Sequence, residues 1–220
     1  MQKVLILVEG QTEETFVRDL LAPHLNGFDV YAIPKIAVTK RVKSGGHFKG
    51  GIVAYSKIQT DIRLLVNDSS AARVTTMIDY YGLPEDFPGM KTRPAADCYI
   101  RARHIEEAFK QDINHPRFVP YLSLHEFEAF LYVSPQMCAD YLPVEVQAKL
   151  TSIAEQVGSP EEINEGSATS PSKRLLAMFP GYEKPLYGTI CTLAIGLPAL
   201  REKCSRFSKW LADLESLAQS

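Results

Sequence analysis

Cysteine is scarce in this chain: there are four in 220 residues, at Cys98, Cys138, Cys191 and Cys204. None stands in a Cys-x-x-Cys pair, and the spacings match no zinc-ligand pattern, so neither a zinc centre nor a disulfide scaffold organises the fold. Reduced thiols in a cytosolic protein are the expectation. Long apolar runs are lacking as well, since none reaches the ~18 residues that a membrane-spanning helix requires. The opening Met1-Gln2-Lys3 passes straight into an apolar run, without the layout of a secretory signal. A soluble cytoplasmic protein is expected. Excess charge is absent too: the formal net charge is −2. That excludes a globally basic nucleic-acid binder but leaves local basic patches free to contact phosphate. There is no internal repeat and no low-complexity tract. With 45% hydrophobic residues the chain has the composition of a globular protein and not of a disordered one.

What is present is an unusual recurrence. Three apolar runs each end in an acidic residue followed by a turn or a helix start. VLILV precedes Glu9, VTTMI precedes Asp79, and FVPYLSLH precedes Glu126 and Glu128. Apolar runs of this length, bounded by turn signals, read as buried strands. Open parallel α/β sheets bind ligands outside the carboxyl ends of their strands. Three such ends would gather their carboxylates at one edge, where like charges repel unless a cation shares the site. Oxygen ligands of this kind suit Mg²⁺ or Mn²⁺.

The rest of the chain supports that architecture. A helix over TEETFVRDLLAPHL is expected to stop near Pro23. A strand follows from Phe28 to Val42, bent at Pro34, then a glycine-rich basic loop and a helix from Ile52 to Asn67. Arg73 to Asp79 reads as a strand, Ala95 to Ile113 as an amphipathic helix and Arg117 to Leu124 as a fourth strand. This βαβαβαβ order implies parallel pairing through right-handed crossovers. After Phe130 the pattern turns helical, ending in LREKCSRFSKWLADLESL with apolar residues at three- and four-residue steps. The expectation is an α/β domain over 1–133, with a mostly parallel four-stranded sheet flanked by helices, and a helical extension over 134–220 packed on it.

Each acid has a plainer reading beside the metal one. Glu9 could be a surface acid at a strand end, and Asp79 could cap the turn that begins at Tyr80. Gly10 would let the chain turn tightly after Glu9. Glu13 either shares a face with Glu9 or serves as a first-turn acid that complements the helix dipole. Glu126 and Glu128 face one side only if extended; in a helix they diverge by about 200°. Glu126, nearer the strand end, is then the preferred ligand and Glu128 the reserve. His125 is a general base, a ligand or a structural cap.

The motifs VEG and MIDYYG, with the βα order, resemble the TOPRIM fold of topoisomerases, primases and OLD-type nucleases over about the first 130 residues. More closely, VEGQTE, DYYGLPEDFPG, LSLHEFEAFL and SPSKRL together resemble a bacterial family of unknown function that is grouped with TOPRIM-like proteins, and this likeness covers nearly the whole chain. The resemblance implies a Mg²⁺-dependent nuclease of DNA metabolism or phage defence, working on nucleic acid and with an ATPase partner. It places Glu9 at the TOPRIM glutamate and Asp79 at the first acid of Asp-x-Asp. Tyr81 stands where the second aspartate belongs, so Glu126 or Glu128 would have to replace that ligand, or the site would be a degenerate scaffold that binds a partner protein or a nucleotide.

Two basic sets complete the expectation. Lys43 and Lys49 lie in the loop KSGGHFKGG, which either offers backbone N–H groups to a phosphate or is a solvated connection. Lys173, Arg174 and Lys184 either neutralise charge on a transferring phosphoryl group or are surface charges beyond a Ser-Pro helix start.

Overall fold

The computed structural model describes residues 1–37, 54–163 and 170–219. Four strands, β1 (Gln2–Val8), β2 (Val30–Ile36), β3 (Ala71–Asp79) and β4 (Leu122–Ser123), form one all-parallel sheet in the order β2-β1-β3-β4. Parallel neighbours require crossovers. The first consists of α1 (Gln11–Phe16), a π-helical turn (Val17–Leu21) and α2 (Ala22–Asn26). Later crossovers carry α3 (Tyr55–Val66) and α4 (Cys98–Ile113). The strand order reverses between β1 and β3, the kind of switch point at whose carboxyl ends open parallel sheets bind ligands.

Both faces of the sheet are covered, which is why β1 is a continuous apolar run. Val4, Ile6 and Val8 enter one core, and Leu5 and Leu7 the other. On the second face Ile58 and Ile62 of α3 pack with Ala102, Ile105 and Phe109 of α4. On the first face Phe16 and Leu21 meet the C-terminal helices: α5 (Val144–Ala154), α6 (Pro171–Met178), α7 (Thr189–Lys203) and α8 (Ser205–Glu215). The extension therefore completes a core that the strands begin. Trp210 stacks on Tyr121 with ring centroids 4.6 Å apart and donates its indole N–H to Thr75 Oγ1 at 3.0 Å.

Several local features depart from the sequence expectation, each for a physical reason. The first helix does not stop at Pro23 but runs to Asn26. The wide turn closes with Ala22 N–H donating to Val17 O, so Pro23 opens a fresh segment where its missing N–H costs no bond. The fourth strand shrinks to Leu122–Ser123, with an isolated bridge from Phe118 to Val74. Pro120 interrupts it, and Thr76 fills the gap: its hydroxyl accepts from Tyr121 N–H at 3.0 Å and donates to Tyr121 O at 2.7 Å. β2 ends at Ile36, and positions 38–42 of the expected strand lie outside the described residues. Ala37 N–H donates to Val8 O, so by alternation Pro34 faces the open edge, where a strand tolerates proline. The last helical stretch breaks at Cys204 (φ −119°, ψ 90°). Among the described residues no helix is long and apolar enough to cross a membrane.

Candidate functional site

The carboxyl ends of β1 and β3 place Glu9 and Asp79 beside each other at the switch point. The Glu9 carboxylate accepts from the backbone N–H of Asp79. A β-carbon added at Gly82 would lie 3.9 Å from both Glu9 Oε1 and Asp79 Cβ, so the turn after β3 wraps the pair closely. Gly10 precedes α1 in an extended conformation (φ −155°, ψ −170°) open to any residue. Its glycine is explained by space: a β-carbon there would sit 3.3 Å from Glu13 Oε2. Glu13, in the first turn of α1, is 4% exposed and points inward, while Glu14 faces out and pairs with Arg18.

The fourth acid is Glu128, from the 3-10 turn Phe127–Tyr132, and it is 2% exposed. Between Glu13 and Glu128 lies the ammonium of Lys184, 2.9 Å from Glu13 Oε1 and 3.4 Å from Glu128 Oε2. Lys184 opens the π-helical turn Lys184–Gly188 that leads into α7. Its stem passes the Phe127 ring, with Nζ 5.8 Å from the centroid. The extension thus supplies the cation to an acidic cluster built by the strands and α1.

The electrostatics follow from crowding and burial. Burial pushes the Glu9 carboxyl above its usual range, Lys184 draws it back, and Glu13 pushes it up again. Asp79 is raised well above the ordinary aspartate value, first by burial and then by Glu9. Burial also raises Glu128. Burial alone would lower Lys184, but Glu128, Asp79 and Glu13 outweigh it and hold the ammonium charged. One ammonium faces four carboxylates, and Glu9 Oε2 is buried with no hydrogen-bond partner among the described residues.

The sequence-predicted residues are only partly united. Glu9, Glu13, Asp79, Glu128 and Lys184 converge. Glu126, expected to be the better placed of its pair, is turned away from them, and its Oε2 accepts from Ser172 N–H at 2.8 Å, at the start of α6. The 3-10 turn explains the divergence, since residues two apart face different sides. Lys173 is exposed and Arg174 half-buried on that same helix. Lys43 and Lys49 lie outside the described residues. By position in the sequence Lys184 falls with Lys173 and Arg174. Only the tertiary fold reveals that it belongs with acids far earlier in the chain.

The donor set fits a divalent cation in chemistry: hard oxygens, surplus negative charge and an orphaned carboxylate oxygen. Yet among the described residues no three His, Cys, Asp or Glu side chains are arranged as a ready ligand set. The cation at the centre is Lys184.

Aromatic groups flank the acids. Tyr81, two residues past Asp79, stacks on His125 with centroids 5.1 Å apart and planes 10° from parallel. Burial pulls His125 down to about 4, so this imidazole is neutral near pH 7. Tyr80 meets Tyr81 edge-on at 5.2 Å, and Arg93 donates to the Tyr80 hydroxyl at 3.0 Å. The sequence carried no signal for the Tyr81–His125 stack, which joins turns 44 positions apart in the numbering.

No curated protein and no solved structure matches the chain. One family model does, over residues 8–215, from the end of β1 to the end of α8. That span takes in every residue of the acidic cluster, and the chain belongs to the family described as a domain of unknown function, DUF4276.

Proposed function

We propose that the chain is a divalent-metal-dependent enzyme acting on phosphodiesters, a TOPRIM-like nuclease of the bacterial cytoplasm. The observation that carries this reading is the cluster of buried Glu13 and Glu128 and half-buried Glu9 and Asp79 around Lys184, at the switch point of a parallel sheet. Structural ion pairs are normally balanced; here the carboxylates outnumber the ammonium, and burial first, then the neighbouring carboxylates, hold the pKa values of Glu9, Asp79 and Glu128 above their ordinary range. Clustered acids with perturbed pKa values concentrate at working sites. Glu9 and Asp79, with Glu13 and Glu128, would hold Mg²⁺ or Mn²⁺. When bound, the metal would supply charge neutralisation and a lowered pKa for water. Lys184 would then be released from Glu13 and Glu128 to meet a phosphate oxygen. Glu126 is removed from the ligand set and assigned to positioning α6.

Cleavage of plasmid and single-stranded DNA in Mg²⁺ or Mn²⁺ tests the proposal. Wild type should cut, and Glu9→Gln and Asp79→Asn should each lose activity by at least about 100-fold, as expected when a metal-binding group is removed. Metal-dependent cutting that survives Glu9→Gln would refute the assignment. A second reading, a degenerate scaffold that binds a nucleotide or a partner ATPase, is favoured by one feature: Tyr81 occupies the position of the second acid of Asp-x-Asp. Under that reading wild type binds but cuts nothing at any metal concentration.

A further inference from the structure

Tyr81 is the residue that the metal reading leaves without a role, and its surroundings suggest one. It sits on the turn after Asp79 and is 37% exposed, the setting of a surface group and not of a core ring. Yet it is held firmly. One contact is the nearly parallel His125 imidazole at 5.1 Å, and another is the edge of Tyr80 at 5.2 Å. His125 is 3% exposed, so the ring beneath Tyr81 is fixed within the fold. Tyr80 is itself pinned by Arg93, whose guanidinium donates to the Tyr80 hydroxyl and lies 5.9 Å from its ring centroid. Arg93 is exposed, so a cation stands beside the aromatic group on the solvent side.

We infer that Tyr81, backed by His125, is a stacking platform for a nucleobase of single-stranded nucleic acid, and that Arg93 contacts the adjoining phosphate. This deepens the proposed function, on which it rests, by naming the substrate as unpaired strand. A rigid, exposed aromatic ring beside a phosphate-directed site is what sequence-tolerant single-strand binding requires, because every base has a π-face. A base within a duplex is already stacked on its neighbours and gains nothing from such a ring. A neutral imidazole backing keeps the platform free of charge near pH 7. The same placement explains the departure from Asp-x-Asp: the position two residues after Asp79 holds a base instead of a metal.

The test is binding, read without cleavage. Fluorescence anisotropy of a labelled oligothymidylate is measured with the full chain in Ca²⁺ and again in EDTA, with a duplex of mixed sequence and free thymidine monophosphate as competitors. Wild type should prefer the single strand. Tyr81→Ala should weaken single-strand binding by about tenfold, the usual effect of losing one base stack. Tyr81→Trp should keep it, and circular dichroism of the variants should match wild type. Arg93→Ala should flatten the salt dependence by about one unit of slope. Unchanged single-strand affinity in Tyr81→Ala, or an equal loss on duplex, overturns the inference, as does competition by the mononucleotide as strong as by the strand. The two claims separate cleanly. Binding that depends on Tyr81 with no metal-dependent cutting leaves the platform and removes the nuclease. Cutting that is indifferent to Tyr81→Ala does the reverse.

Discussion

A carboxylate whose pKa is raised in the folded state costs stability once the solution is basic enough to ionise it. Asp79 is such a group, lifted by burial and by Glu9. Between its unfolded and folded pKa values the native state binds the extra proton, so stability falls as pH rises through that window. Asp79→Asn should therefore raise Tm near pH 7.5 by roughly 2–4 °C, equivalent to about 1 kcal/mol for a chain of this size. The gain should shrink as pH falls towards the ordinary aspartate value of 3.8 and vanish below it, where the aspartate is protonated in both states. Lys184 has the opposite sign. Its folded pKa is raised, so its contribution is present at neutral pH and lost only as pH rises through that folded value. Lys184→Met should lower stability at neutral pH by about 1–2 kcal/mol after allowance for its partly exposed side chain, read as a fall in Tm. Calorimetry of both variants across pH checks the pair. A fall in Tm for Asp79→Asn at neutral pH would mean that the cluster is a balanced structural network and not a strained site. At this scale Glu9 and Asp79 were legible in the sequence, because an acid directly after an apolar strand is a local signal. Glu128 was not separable from Glu126, since the choice depends on whether HEFEAF is extended or turned.

Elements are ended here by side chains distant in sequence. α8 begins after the break at Cys204 because Glu161 reaches its first turn. The Glu161 carboxylate accepts from Arg206 N–H and Phe207 N–H, each at 3.0 Å, and from the Ser205 hydroxyl at 3.3 Å. It is 7% exposed, so water cannot replace it readily. Glu161→Ala should strip α8 of its cap and lower stability by about 2 kcal/mol, at the upper end for a cap because the unpaired N–H groups would be buried. Glu161→Gln, which keeps an acceptor oxygen, should fall between. Thermal unfolding followed by Trp210 fluorescence reads the change directly, since Trp210 lies on α8. A Tm within about 1 °C of wild type would show that the helix needs no such cap. The periodicity of LREKCSRFSKWLADLESL revealed the helical character of this stretch but not its break. No local residue announces the break; the carboxylate that caps the new start comes from a turn more than forty residues earlier. Pro120 is the converse case, a visible strand-breaker whose repair by Thr76 could not be read from the sequence.

For the whole molecule, the parallel sheet was legible because alternating strand and helix patterns admit few arrangements. That the C-terminal helices would pack on the first 133 residues was expected from their apolar face, but that they would share a core with the strands was not legible, because helical periodicity identifies an apolar face without saying which residues it meets. The structure shows that face closing on the strands: Val4, Ile6, Phe16 and Phe127 share one core with Leu175, Leu200, Phe207 and Leu211. The acidic cluster repeats this at the level of charge, since Glu13 and Glu128 come from the first part and their partner Lys184 from the second. The first part therefore completes the core on one face of the sheet but not on the other, and neither part has a finished site. A fragment of residues 1–133 would expose one whole face of the sheet, including the fully buried Val4, Ile6 and Phe16. At about 25 cal/mol per Å² of apolar surface, uncovering even a few such side chains costs as much as a typical domain's net stability. The fragment should lack a cooperative thermal transition and should bind a hydrophobic dye. The full chain should unfold in one transition whose calorimetric and van't Hoff enthalpies agree. Two resolved transitions in the full chain, or a soluble fragment with a sharp melt of its own, would show instead that the sheet and the C-terminal helices are separate units and that Lys184 reaches the acids across a boundary.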